Sequence, residues 1–188
     1  YIIMDKKDRP YSVVPYSTDW ARIFQEEKKE ILSILQLDAI QIYHVGSTAI
    51  PGMWAKPQID IMITSADLAI ADQYIPSLET LGYVFDPNMF IKDCKYFFKD
   101  AKNGMRLSTI QWYKTNDPQA QSKYCFREYL RANKHECERY SQVKRDAFDS
   151  GKSDRIEYAE KKAKEVERLL KKSKEWCQNG GLGGRVSI

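Results

Sequence analysis

The stretch from His44 to Ile61, HVGSTAIPGMWAKPQIDI, gathers residue types that handle phosphate. Gly46 and Ser47 close a β-branched and aromatic run. Glycine lets a ligand approach the main chain, and a serine hydroxyl beside turned backbone N–H groups can meet an anion. Thr48 adds a second hydroxyl, and Lys56 a positive charge for phosphate oxygens. Asp60, on the next apolar run, is a carboxylate able to hold Mg²⁺ between protein and phosphate and to serve as the catalytic acid residue. Taken singly, such residues also make ordinary turns and capping acids, so their chemistry depends on being brought to one mouth.

Other candidates surround this segment. His44 stands beside Gly46, where it can polarise a substrate oxygen and titrate near neutral pH, or anchor the loop base through a hydrogen bond. His135 falls in a helix connection as an exposed residue. Arg127, Arg131, Tyr158 and Lys162 can close a basic wall over the loop, or make ion pairs on helix surfaces. Trp54 sits in the loop itself, placed to stack on a base or cover a pocket. Trp20, Phe24, Phe97, Phe98 and Trp112 read as core.

The elements that must position these residues follow from periodicity. Thr18 or Asp19 caps a helix over 18–35, with Trp20, Ile23, Phe24, Ile31, Ile34 and Leu35 at helical spacing. A strand is predicted over 39–45, and a loop with room for one short helical turn over 46–57. The next strand, over 58–64, alternates Ile59, Ile61 and Ile63 with Asp60 and Met62, which puts the carboxylate on the less apolar face. A helix capped by Ser65 then runs to about 81 and stops at Gly82. Strands are expected over 83–86, 95–99 and 105–113, the last two joined by a turn at 100–104 as an antiparallel hairpin. Helical period takes over after Pro118, giving helices over about 121–131, 135–149 and 153–177. The order predicts an α+β fold: a mixed β-sheet flanked by helices, with a C-terminal helical block. Residues 1–13 read as an N-terminal extension, 14–176 as a single domain and 177–188 as a flexible tail.

Composition narrows the classes. The 188 residues are 43% hydrophobic and 30% charged, which excludes collagen-like, low-complexity and wholly disordered chains. No window approaches the ~18 consecutive apolar residues of a membrane helix, and the first ten residues are too charged for a secretory core. Cys94, Cys125, Cys137 and Cys177 lack metal-ligand spacing and are expected as free thiols of a cytoplasmic protein. Neither a GxxxxGK[ST] loop nor a GxGxxG fingerprint is present. Net charge is +4, and residues 121–176 hold 16 Lys and Arg against 11 Asp and Glu. Such a basic half can face phosphate or nucleic acid, but its interleaved acids favour a solvated surface and make nucleic acid the weakest partner class.

The segment HVGSTAIPGMWAKPQIDI resembles the signature of the GrpB family of nucleotidyltransferase-like proteins. The likeness continues through VVPYSTDWARIFQEE, LETLGYVF and FREYLRAN, and through Tyr140 with Lys144 and Tyr158 with Lys162 at Tyr-x-x-x-Lys spacing, so that it spans about 14–170. It implies a nucleotidyltransferase fold in which Gly46, Ser47 and Thr48 grip phosphate, with Lys56, Trp54, Arg127, Arg131, Tyr158 and Lys162 around the nucleotide. Active members of that superfamily place two carboxylates as Asp-x-Asp and a third acid on a later strand, and use two metal ions. Here the first acid is Gln58. The later strand offers Ser108, Thr109 and Gln111, without a carboxylate and without the His-x-His pair of many relatives. The resemblance thus implies a nucleotide- or phosphate-ester-binding protein with Asp60 as its lone metal ligand. It is expected to be a Mg²⁺-dependent nucleotidyltransferase acting on a small molecule or, alternatively, a binding or regulatory module without transfer chemistry.

Overall fold

The computed structural model describes residues 11–36, 39–89, 91–150 and 155–183. Most of the expected N-terminal extension (1–10) and the end of the expected tail (184–188) lie outside the described residues.

Helix α1, Asp19–Leu35, buries Trp20, Phe24, Ile31 and Leu35 along one stripe, as the spacing predicts. Thr18, one of the two residues expected, stands at its N-cap position. Thr18 makes no side-chain cap, and the Ser17 hydroxyl accepts from the Asp19 N–H at 3.2 Å. Strand β1, Gln41–Val45, ends at Gly46 and is followed by a short 3₁₀ turn, Ser47–Ala49. Strand β2, Ile59–Ser65, pairs antiparallel with β1 and parallel with β5, Arg106–Lys114. Strand β4, Cys94–Asp100, continues the sheet antiparallel to β5, and β3, Val84–Phe85, forms the edge, giving the order β1-β2-β5-β4-β3.

The sheet is two-faced. Ile59, Ile61, Ile63, Ile110 and Trp112 pack with Trp20, Phe24, Ile31 and Leu35. The alternate residues Asp60, Met62, Thr109, Gln111 and Tyr113 fall on the opposite face by strand period. That second face meets the helical block: Met62, Tyr113 and Val45 pack with Ala120.

The helix predicted over 65–81 is two short ones, α2 at Ile70–Gln73 and α3 at Ile75–Thr80. Pro76 explains the break. It has no N–H to donate, and in a continuous helix its ring would strike the carbonyl four residues back; at the start of α3 it is tolerated. Ser65 remains in β2, where its hydroxyl accepts from the Trp112 indole at 2.8 Å and donates to the Asp67 carbonyl at 2.9 Å.

The block consists of α4, Pro118–Ala132, α5, Lys134–Ser150, and α6, Arg155–Gln178, with α6 packed along both others. Asp117 caps α4 by accepting from the N–H groups of Gln119 and Ala120. Loop residues Ile50 and Met53 bury completely among Tyr129, Leu130, Tyr140 and Leu169, so the block holds the 46–57 loop in place. Arg168 and Lys172 of α6 clamp Glu136 of α5, and the Arg168 guanidinium, followed by Lys172, holds that carboxyl down at about 2. The expectation of four free thiols is corrected: Cys125 of α4 and Cys177 of α6 form a disulfide, their Cα atoms 6.1 Å apart, while Cys94 and Cys137 are free. Spacing shows no hint of this pair because packing of α4 on α6 closes a separation of 52 residues.

Candidate functional site

Gly46 has φ 71°, and a β-carbon there would overlap the Asp60 carboxylate. Glycine is therefore required both for the left-handed backbone and for the close approach of loop and acid. Asp60 lies in register between Val45 of β1 and Thr109 of β5. Its Oδ1 accepts from Gln58 Nε2 at 2.6 Å and from the Thr109 hydroxyl at 2.9 Å. A carboxylate only accepts, so Gln58 presents its NH₂ to Asp60 rather than its oxygen. Asp60 is thus tied through one carboxylate oxygen to Gln58 before β2 and to Thr109 of β5.

Opposite it stands Lys144 of α5. Its ammonium donates to the Ser47 hydroxyl at 2.5 Å and to the Trp54 carbonyl at 2.9 Å, and lies 4.2 Å from the centre of the Tyr140 ring. The side chain is fully buried. Desolvation, and next the charge of Lys162, push its pKa well below the usual lysine value, while Cys137 and Asp60 pull it back up. Lys56 lies between two rings, 3.9 Å from the centre of Tyr11 and 4.3 Å from that of Tyr158. Ser47, Thr48, Lys56, Asp60, Lys144 and Lys162 line one cavity of about 260 Å³, with Tyr158 in its wall.

The structure brings Gly46, Ser47, Thr48, Lys56, Asp60, Tyr158 and Lys162 to this mouth and sets four others apart from it. The imidazole of His44 is buried, stacked on Phe24 at 4.8 Å, with Nε2 3.0 Å from the Thr48 hydroxyl. Thr48 in turn donates to the Gln58 carbonyl at 2.9 Å. Its single proton being used there, Nε2 must carry the hydrogen toward Thr48. Burial first, then the charges of Arg131 and Arg127, lower the His44 pKa to about 4, so the ring is neutral at pH 7. His44 anchors the loop base and borders neither cavity at the site. Arg127 donates to the His44 carbonyl at 2.6 Å, and Arg131 doubly to the Ala49 carbonyl at 2.9 and 2.6 Å. Both guanidiniums bind the back of the loop instead of walling its mouth. Trp54 packs beside Val13, Ala147 and Tyr158, with the Arg145 guanidinium 4.9 Å from its ring centre, and is not among the residues lining the cavity around Ser47.

A second cavity of about 620 Å³ adjoins the first, sharing Ser47, Asp60, Ala159 and Lys162. Its further walls include Phe126, Tyr140, Val166 and Leu170, with Gln111 and Lys123 near Asp60. Burial lowers the Lys123 pKa, and Asp60 partly restores it. Lys144, Lys123 and Phe126 are the site residues the sequence reading left out. A signal for Lys144 exists: Cys137, Tyr140, Lys144 and Ala147 are spaced as one buried helical stripe, and a lysine interrupts it.

Mg²⁺ fits this donor set poorly. It prefers hard oxygen ligands with one or two carboxylates. Here a single carboxylate already accepts two hydrogen bonds and shares its cavity with three lysines. Among the described residues no group of three or more His, Cys, Asp or Glu could hold a metal ion.

Residues 10–172 match the family model described as GrpB protein. A UPF0157 protein of Halalkalibacterium halodurans is 31% identical over 166 residues, covering 86% of this chain and 82% of that one. The crystal structure of GrpB from Enterococcus faecalis aligns with a TM-score of 0.81 at 24% identity, over 88% of this chain and 99% of the other. A cytoplasmic RNA terminal U-transferase aligns at 0.51 and 12% identity, over 70% of this chain and 41% of that one, a likeness of fold.

Proposed function

Because the chain belongs to the GrpB family and has a nucleotidyltransferase-like fold, we propose that it binds a nucleotide or other phosphate ester at the Ser47 loop, as a binding module rather than a two-metal transferase. The observation that carries this reading is Lys144, an interior ammonium whose hydrogen-bond partners are the Ser47 hydroxyl and the Trp54 carbonyl. A buried charge held by neutral groups is expensive unless an opposite charge joins it. A phosphate seated between Ser47, Lys144 and Lys162 supplies that charge. The arrangement can bind and orient an anion; activating an incoming hydroxyl would need acids that Gln58 and Thr109 do not offer.

Calorimetric titration with nucleotides and inorganic phosphate tests the reading, alongside an assay for pyrophosphate release from nucleoside triphosphates. Binding without release is expected, and Asp60→Asn should tighten anion binding by removing a like charge. Absence of binding to every phosphate compound would end the proposal. Turnover abolished by Asp60→Asn would replace it with the transferase reading.

A further inference from the structure

The two adjoining cavities differ in charge and in wall chemistry. Among the described residues the smaller is lined by Lys56, Lys144 and Lys162 with one carboxylate, Asp60, and by the Ser47 and Thr48 hydroxyls. Lysines and hydroxyls around a space of about 260 Å³ suit a single phosphate head. A triphosphate with metal requires more carboxylate than Asp60 alone supplies among the described lining residues. Among the described residues the larger cavity adds Lys123 and Glu167 to the shared Asp60 and Lys162. Phe126, Tyr140, Val166 and Leu170 give it apolar wall, and Leu170 is 38% exposed. A polyphosphate running from Ser47 into this space would meet Glu167 and an apolar helix face. An aromatic or aliphatic group would be desolvated by them.

Building on the phosphate reading above, we infer that the ligand is a phosphomonoester whose single dianionic head sits between Ser47, Lys144 and Lys162 and whose apolar or aromatic organic group lies against Phe126, Val166 and Leu170, and that it is taken up without a divalent cation. The lysine ammoniums neutralise the head directly. The apolar wall supplies the affinity that separates an ester from free phosphate, and Lys123 with Gln111 offers donors to a polar substituent at the inner end.

The full chain is titrated with inorganic phosphate, phenyl phosphate and a nucleoside triphosphate, each in chelator and in Mg²⁺. Phenyl phosphate is expected to bind roughly tenfold or more tighter than inorganic phosphate, because burial of its ring adds apolar area, and equally well in both buffers. Leu170→Asn, at an exposed position that tolerates a polar side chain, and Phe126→Leu should each cost phenyl phosphate more affinity than inorganic phosphate and so shrink that advantage. Affinity that appears only with Mg²⁺, or a triphosphate binding tighter than phenyl phosphate, overturns the inference and leaves the phosphate reading intact. Equal loss of phosphate and phenyl phosphate in both variants also overturns it, by placing the organic group elsewhere. Silence toward all three anions removes the phosphate reading as well.

Discussion

Lys144 of α5 reaches across 97 residues of sequence to donate to the Ser47 hydroxyl, and the same ammonium fixes the loop through the Trp54 carbonyl. One side chain therefore links the helical block to the Gly-Ser turn and supplies its most deeply buried charge.

Replacing that lysine by methionine keeps most of its volume and removes the charge. Lys144→Met is expected to weaken phosphate binding by about 1.5–3 kcal/mol, roughly 10- to 150-fold, the range of a charge-assisted hydrogen bond. The thermal midpoint at neutral pH should hold or rise, since exchanging a buried charge for an apolar group is often neutral or favourable. The sign of the pH effect follows from the lowered pKa. Between the folded value and the ordinary lysine value the unfolded chain binds more protons, so wild-type stability rises with pH through that window, and the variant should lose the rise. Titration calorimetry and melts across alkaline pH measure both, and wild-type phosphate affinity in the variant would refute the role.

His44 has the opposite experimental signature from a proton-transfer group. Its pKa falls from 6.5 to about 4, chiefly by burial. As pH drops below 6.5 the unfolded chain takes up a proton that the folded chain refuses. Stability present above 6.5 is lost progressively down to about 4, a loss of about 3 kcal/mol at about 1.4 kcal/mol per unit. His44→Gln should flatten urea-unfolding free energy over this window. An unchanged slope in the variant would assign the effect to another group.

Much of the frame was legible in the chain because its signals are local. Trp20, Phe24, Ile31 and Leu35 repeat at helical period, and Ile59, Ile61 and Ile63 alternate, so α1 and the orientation of Asp60 follow from neighbours in sequence. Gly46 was readable, from its own lack of a side chain, as a point of close approach to the main chain. The partners of Asp60 and Ser47 were harder, since Thr109 and Lys144 arrive through strand register and helix packing. The basic C-terminal half looked like a solvated surface, yet Lys123, Lys144 and Lys162 of that half turn toward the sheet and line cavities. Arg127 and Arg131 went the other way, to backbone carbonyls behind the loop. Side-chain type marks a residue as able to meet phosphate; tertiary contact decides whether it does.

The Cys125–Cys177 bond ties the end of α6 to α4 across 52 residues of sequence. On the chain-entropy account, a loop of that length stabilises by about 4 kcal/mol. Reductant should lower the midpoint of guanidinium unfolding in the wild-type chain and leave Cys177→Ser unaffected. If both chains respond alike to reductant, the bond contributes nothing to stability.

Gln58→Asp tests whether one missing acid separates this site from a metal centre. The substitution sets a second carboxylate two residues before Asp60, just ahead of β2, where Gln58 now donates to Asp60 Oδ1 at 2.6 Å. Two like charges at that distance repel, so the variant should be less stable than wild type without metal. Mg²⁺ would relieve the repulsion while gaining the acid pair it prefers, and by mass action its binding stabilises the folded chain. Wild type is expected to melt at the same temperature with Mg²⁺ or chelator, whereas the variant should recover part of its loss only with Mg²⁺. A wild-type midpoint that rises with millimolar Mg²⁺ would mean that Asp60, with Thr109 and Gln58 around it, already holds the ion, and the lysine-neutralised site would have to be abandoned.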